Sequence, residues 1–159
     1  ARRASLSITP ALTVPRACFV TLESGGRAGR TLRGCIGTTE ARAPVHEAIV
    51  RSATEAAFAD PRFAPLAAEE YPALVISVSA LTPLTAVERP EEIVVGRDGV
   101  ALECDGRHAV FLPEVAPKYG WTRETLLDEL ARKAGLPADA WRRAALFAFE
   151  SEHFCETSG

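Results

Sequence analysis

The spacing of the apolar residues changes along this chain. Short runs typical of strands are followed by apolar positions at helical spacing, and then by another strand-like run. The β-rich run at residues 18–22, a Ser24-Gly25-Gly26 turn signal and a second run at 31–37 predict a β-hairpin. Pro44 then begins a helix whose apolar positions recur at helical spacing. That helix stops at Asp60, because a residue that precedes a proline avoids the α region. A short irregular or helical piece follows, and then a strand.

The second half of the chain repeats this order. A hairpin is predicted over 100–112 around the turn Asp105-Gly106. Thr122 is a good N-cap for a helix that Gly135 ends, and a short helix and a strand over 145–149 follow. Both halves therefore read as the same β-β-α-α-β unit.

The matched halves predict an α+β fold with an internal repeat, the first copy at 18–81 and the second at 93–150, after an N-terminal arm at 1–17. One unit alone would leave a sheet face exposed. We therefore expect the two repeats to share one curved, barrel-like, mainly antiparallel sheet with helices packed outside, in a single domain over 1–159.

Charge and composition narrow the classes of function. The chain has 159 residues, a net charge of −3 and no basic cluster, so we expect no nucleic-acid partner. Its longest apolar stretch is too short to span a membrane, and it begins with no signal-peptide pattern, so we expect a cytoplasmic protein. The four cysteines lie far apart without a Cys-x-x-Cys pair, which indicates reduced thiols. We expect no metal and no cofactor.

The segment Arg33-Gly34-Cys35-Ile36-Gly37 is the strongest candidate site. In a strand its side chains alternate, so Leu32, Gly34 and Ile36 would face the core, and Arg33 and Cys35 the other side. A nearby positive charge favours thiolate over thiol, so Arg33 could make Cys35 a nucleophile. The glycines would let a ligand approach closely. A buried structural cysteine in a tightly packed strand is the alternative.

Two further segments supply weaker candidates. In Asp60-Pro61-Arg62-Phe63, Arg62 could bind a ligand, or it could pair with a carboxylate and anchor a loop. Glu114 emerges just beyond the end of a strand, a common position for site residues, although a solvated or salt-bridged glutamate is the simpler interpretation.

Several of these segments resemble, in order, the motifs of the AmmeMemoRadiSam system protein A family, whose domain in animals is named for the Alport syndrome, midface hypoplasia and elliptocytosis chromosomal region. The similarity covers about 17–154. The matching blocks are Phe19-Val20-Thr21-Leu22, Leu32-Arg33-Gly34-Cys35-Ile36-Gly37-Thr38, Asp60-Pro61-Arg62-Phe63, Val78-Ser79-Ala80-Leu81, Phe111-Leu112-Pro113-Glu114-Val115-Ala116, Trp121 and Lys133-Ala134-Gly135-Leu136.

The resemblance implies a doubled fold with one barrel-like sheet and association with a Memo-like protein and a radical S-adenosylmethionine protein. It implies a role in modifying a small molecule or a macromolecule, but no established activity. The candidate site then comprises two catalytic residues, Cys35 and Arg33, and five binding residues. The binding residues are Gly34, Gly37, Thr38, Arg62 and Glu114. A non-catalytic module that binds a ligand or a protein through the same surface is the alternative, and substrate and oligomeric state stay open.

Overall fold

The computed structural model describes residues 8–25 and 29–156, and the chain divides into two compact units. The first unit runs to Leu81 and resumes at Glu152, and the second comprises Thr82–Ser151. The strands are β1 (Cys18–Ser24), β2 (Thr31–Thr38), β3 (Leu74–Leu81), β4 (Thr85–Val87), β5 (Gly99–Cys104), β6 (Arg107–Phe111), β7 (Ala145–Phe149) and β8 (Ser151–Cys155). The α-helices are α1 (Val45–Phe58), α2 (Val115–Tyr119) and α3 (Arg123–Lys133), and short 3-10 helices lie at Pro10–Thr13, Ala68–Ala73, Pro90–Glu92 and Ala138–Arg143.

The first sheet has the strand order β2-β1-β3-β8. Its central strand β1 runs antiparallel to both neighbours, with Val20 opposite Ile36 on β2 and opposite Val78 on β3. Helix α1 packs on one side of this sheet, where Val20 and Leu22 are buried together with Ala56. The helix comes so close to β2 that a Cβ on Gly34 would lie 2.2 Å from the carbonyl oxygen of Ala56. Gly34 is therefore required for the packing of α1.

The second sheet has the order β4-β7-β5-β6. Its central strand β5 is antiparallel to β6 and β7, with Ala101 opposite Val110 and Phe147. The core of this unit is built on α3, whose leucines are buried, and on Val100 and Leu102 of β5. Thr122 caps α3, since its hydroxyl oxygen accepts the N–H of Thr125 at 3.2 Å. The predicted N-cap is confirmed.

The predicted α+β class and the mainly antiparallel pairing are confirmed, but one shared barrel-like sheet is wrong. The described residues form two separate four-stranded sheets. Strands β1 and β5 cannot pair with each other, because each already has a strand of its own unit on both sides. The fourth strand of each sheet was not predicted. β4 follows β3 in the chain but joins the second sheet, and β8 follows β7 but joins the first. Both are short and largely exposed, so they carry almost no apolar alternation.

The two units share the order of their elements and of three strands in each sheet. Hairpin, helix, 3-10 helix and return strand occur in both units, and β2-β1-β3 corresponds to β6-β5-β7. The close superposition of 18–81 on 93–150 stays a prediction, as does folding as a single domain. The arm at 1–7 and the turn residue Gly26 lie outside the described residues.

Candidate functional site

Cys35 lies on β2, an edge strand of the first sheet, with its side chain on the face away from α1. Gly34 and Ile36 point to the helix, as the alternation predicted. Leu32 does not, because it is exposed rather than buried in the core. The strand pairing is irregular between Leu22 and Glu23, next to Leu32, which interrupts the alternation at that point.

Two residues of the segment after α1 hold the backbone of Cys35. Its N–H donates to Oδ2 of Asp60 at 2.9 Å, and its carbonyl oxygen accepts from Nη2 of Arg62 at 3.2 Å. Pro61 keeps Asp60 out of the helical region, and the Asp60 carboxylate accepts the N–H of Arg62 two residues on, as in an Asx-turn. The free edge of the sheet is thus closed at Cys35 by side chains instead of by another strand.

Asp60 and Arg62 also form a two-pronged ion pair. Nε and Nη2 of Arg62 donate to the two carboxylate oxygens of Asp60 at 3.0 and 2.7 Å. The Asp60 side chain is only 1% exposed, whereas that of Arg62 is half exposed. Hydrogen bonds from Arg62 hold the pKa of the Asp60 carboxyl well below its ordinary value, although burial acts in the opposite direction.

Arg33 is paired in the same way, with a residue that the sequence did not single out. Its Nε and Nη2 donate to the carboxylate of Glu70 at 2.6 and 3.1 Å. The Arg33 side chain is only 14% exposed, and Glu70 supplies the opposite charge that a mostly buried guanidinium needs. The hydrogen bonds from Arg33 lower the pKa of the Glu70 carboxyl to about 2. Phe63 lies beside both guanidinium groups, 5.9 Å from that of Arg33 and 5.4 Å from that of Arg62.

The sulfur of Cys35 is partly exposed and contacts a hydroxyl group. Its Sγ lies 3.3 Å from Oγ1 of Thr21, the residue directly opposite on β1. In the described ranges, neither a histidine nor a carboxylate lies within hydrogen-bonding distance of the sulfur. Among the described residues the sulfur therefore has a hydroxyl group, and not a base, as its hydrogen-bonding partner.

The glycines do not leave room for a ligand at their own positions. The backbone of α1 fills the space at Gly34, and a Cβ on Gly37 would lie 2.6 Å from the ring of Phe19. Thr38 ends the strand, and its hydroxyl accepts the N–H of Glu40. Glu114 belongs to the second unit, where it is exposed at the start of α2. The structure therefore brings Arg33, Cys35 and Arg62 together.

The site also contains residues that the sequence analysis missed. Thr21 and Ser77 each alternate with apolar core residues, and this was the signal that they share the face of Cys35. The sequence indicated Asp60 as the end of α1 and as part of the Asp60-Pro61-Arg62-Phe63 segment, but not as a partner of the Cys35 backbone. Glu70 had no signal, because it is 37 residues from Arg33 and lies on a 3-10 helix.

The residues that the structure describes contain neither a cluster of metal ligands nor a membrane-spanning helix. No three histidine, cysteine or acidic side chains there are arranged to hold a metal ion. None of the described helices has the length and apolarity to cross a lipid bilayer. The four cysteines are unpaired with one another.

Comparison with known proteins places the chain in one family. The family model AMMECR1 matches residues 2–154. Protein MJ0810 of Methanocaldococcus jannaschii is 41% identical over 149 residues, which is 89% of this chain and 73% of that protein. Protein PH0010 of Pyrococcus horikoshii is 39% identical over 155 residues, 92% of this chain and 75% of that protein. The crystal structure of PH0010, titled an uncharacterized protein, matches with a TM-score of 0.86 at 38% identity over 93% of this chain and 77% of that one. This chain belongs to the AMMECR1 family.

Proposed function

We propose that this chain is a binding module, which holds a ligand or a group of a partner protein on the Cys35 face of the first sheet. One observation supports binding over nucleophilic catalysis. The cations beside Cys35 are each paired with a carboxylate, and the hydrogen-bonding partner of the sulfur among the described residues is the hydroxyl group of Thr21. A catalytic cysteine needs an adjacent base or an available positive charge.

The two arginines near Cys35 are committed to other partners. Arg33 donates two hydrogen bonds to Glu70, and Arg62 donates two to Asp60 and a third to the Cys35 carbonyl. Their charges are therefore neutralised within the protein. Pairing with carboxylates leaves less of the charge of the two arginines to stabilise a Cys35 thiolate, and the proposed role of Arg33 is to position β2.

The rigidity of the site supports binding. Both backbone polar groups of Cys35 are held by side chains, and the Phe63 ring fills the space beside the two ion pairs. A surface held in one conformation loses little conformational entropy when it binds a ligand. The role in modification that the resemblance implies would then belong to the associated Memo-like and radical S-adenosylmethionine proteins.

The rate at which the Cys35 thiol is alkylated tests this proposal. The folded protein is treated with iodoacetamide at pH 7, and modification of each cysteine is followed by mass spectrometry against N-acetylcysteine. Cys35 should react faster than the buried Cys18 and Cys104, but no faster than the exposed Cys155 or the free thiol. These three cysteines are internal controls in the same sample.

Two results would contradict binding at this face. If Cys35 reacted at least about tenfold faster than N-acetylcysteine, an activating group would be present and the nucleophile hypothesis would replace this one. If Cys35 stayed unmodified until the protein unfolded, the sulfur would be a packing group and the face would be closed. The fold of the Cys35→Ser variant, followed by circular dichroism, separates loss of the thiol from loss of structure.

A further inference from the structure

A groove lies in the second unit, at the end of the sheet where β7 finishes. It has a volume of about 530 Å³, and residues of β4, of the end of β7 and of the segment before β5 form its walls. Thr82 holds one wall in place, because its N–H donates to the Glu150 carbonyl and its hydroxyl oxygen accepts the Glu150 N–H, both at 2.8 Å. We call this cavity the β4 groove, and its lining includes Pro83, Val87, Glu92, Arg97, Phe149 and Glu150.

The guanidinium group in the β4 groove is already matched by a buried carboxylate. Nε and Nη2 of Arg97 donate to the two carboxylate oxygens of Asp98 at 2.8 and 2.9 Å. The Asp98 side chain is only 5% exposed, and it also accepts the N–H of Val94 at 2.8 Å. The charge of Arg97 is therefore balanced within the protein before any ligand binds.

Two other carboxylates of the groove are less well matched. The Glu150 side chain is 61% exposed, and its carboxylate lies 3.7 Å from Nε of Arg97, which is longer than a hydrogen bond. The carboxylate of Glu92 is also exposed, and it lies 3.5 Å from Nε of Arg89. Since Asp98 already balances Arg97, these two side chains give the groove an excess of negative charge. That charge would repel an anion and attract a cation.

The β4 groove also has an apolar part. The side chains of Pro83, Val87 and Phe149 share the lining with the carboxylates. A cation with an apolar stem therefore fits this groove better than a bare ion. Lysine and arginine side chains have this form, because their alkyl stems pack along apolar surface while the charged end stays near water.

The position of β4 indicates the source of such a side chain. β4 pairs with β7 on one side, and on its other side the described residues form no strand. At the edges of β2 and β6, by contrast, Arg62 and Lys133 donate to strand carbonyls. An extended segment of another chain can pair with an open strand edge. Since β4 forms both the edge and a wall of the groove, one segment could occupy the two together.

We propose that the β4 groove binds a lysine or arginine side chain from an extended segment of a partner protein, whose backbone pairs with the free edge of β4. Glu92 and Glu150 receive the cationic end, and the apolar part of the lining receives the alkyl stem. The groove lies in the second unit, so this inference does not depend on the binding proposed for the Cys35 face.

Titration of the isotopically labelled full chain with the peptide acetyl-Thr-Val-Arg-Val-Thr-amide, followed by backbone amide chemical shifts, tests the proposal. Saturable shifts are expected at Val87 and Glu150, with a dissociation constant on the order of 1 mM for so short a peptide. The same peptide with citrulline in place of arginine keeps the shape without the charge, and it should bind about fivefold more weakly. Agmatine, which has a guanidinium group but no peptide backbone, should bind more weakly than the arginine peptide.

Matched variants show whether the groove receives the charge. Glu150→Gln removes one carboxylate and keeps the backbone hydrogen bonds with Thr82. It should weaken binding of the arginine peptide about fivefold and leave the citrulline peptide unaffected. Glu124→Gln, which changes an exposed glutamate of α3, should leave both affinities unchanged.

Methylation of the backbone nitrogens of the arginine peptide tests the strand edge, since it removes the donors that pair with β4 and should abolish the shifts at Val87. Absence of shifts with the arginine peptide, equal affinity for the citrulline peptide, or equal affinity in Glu150→Gln would overturn the proposal. Tighter binding of agmatine, or undiminished binding of the methylated peptide, would do so as well, because the groove would then be a site for a small amine.

Discussion

The two units are built on the same strand order but treat the corresponding edge of the sheet differently. In the first, Arg62 donates to the carbonyl of Cys35, and Asp60 accepts its N–H. In the second, Nζ of Lys133 donates to the carbonyl of Val110 at 2.7 Å. In each unit, a cationic side chain from the end of the main helix or just after it donates to a carbonyl oxygen of the edge strand.

The two units differ in the polar groups that lie around Cys35 and around the equivalent position of the second unit. Within the part of the chain that the structure describes, only the first unit has a buried carboxylate at this edge. Its polar row of Cys35, Thr21 and Ser77 lies where the second unit has Val110, Ala101 and Phe147. Polar groups that are present in one unit and absent from the equivalent positions of the other are not required by the shared strand order. This comparison supports a functional role for the face of the first unit.

The largest expected effect comes from removing the carboxylate that holds Cys35. Asp60→Ala leaves Arg62 without its partner and the Cys35 N–H without an acceptor, so we expect the free energy of unfolding to fall by about 2–3 kcal/mol. Urea unfolding measures this. Glu40→Ala breaks the exposed pair with Arg42 and should change little. If both variants were equally stable, the edge closure would contribute nothing.

A next, somewhat smaller effect should distinguish Gly34 from its counterpart. Gly34→Ala places a Cβ against the Ala56 carbonyl, which should cost about 2 kcal/mol in the free energy of unfolding as α1 is displaced. The equivalent position in the second unit is Ala109, which lies opposite Leu102 on β5 as Gly34 lies opposite Leu22 on β1. Ala109→Gly should cost about 1 kcal/mol in the free energy of unfolding. Chemical unfolding of both variants gives the comparison. A harmless Gly34→Ala change would show that α1 can move away from β2.

The two serines of β3 that share the face of Cys35 should differ in their effect on stability. Ser77→Ala removes a hydroxyl group that forms no hydrogen bond with the described residues, so it should change the free energy of unfolding by less than about 0.5 kcal/mol. Ser79→Ala breaks the contact with His153 and should lower it by about 1 kcal/mol. Thermal unfolding at one pH is sufficient to rank the two variants. Destabilisation by Ser77→Ala would mean that the hydroxyl has a stabilising partner in the free protein.

The smallest effect concerns the more exposed ion pair. The pKa of Glu70 is lowered from an ordinary value of 4.5 to about 2, so its pair with Arg33 contributes stability above pH 4.5. That contribution should be lost as the pH falls from 4.5 towards 2. The melting temperature of Glu70→Gln should therefore decline less over this window than that of the wild type. Glu69→Gln, an exposed neighbour, should follow the wild type.

Local sequence signals predicted much of the secondary structure and the orientation of the side chains on β2. Alternation placed Gly34 and Ile36 towards the helix and Cys35 on the other face, and Asp60-Pro61 ended α1 as expected. The matched halves of the sequence predicted the order of elements that both units contain. These features depend on neighbours within a few residues, which the chain itself specifies.

Sequence by itself determined the α+β class, the antiparallel hairpins, the face of β2 on which Cys35 lies and the membership of a family. Tertiary structure alone decided that the strands form two sheets, that Glu70 neutralises Arg33, and that Asp60 and Arg62 close the edge at Cys35. The physical reason is that strand neighbours and ion-pair partners are chosen by geometry between distant segments. A periodic pattern states which face a side chain occupies, but not which residue meets it there.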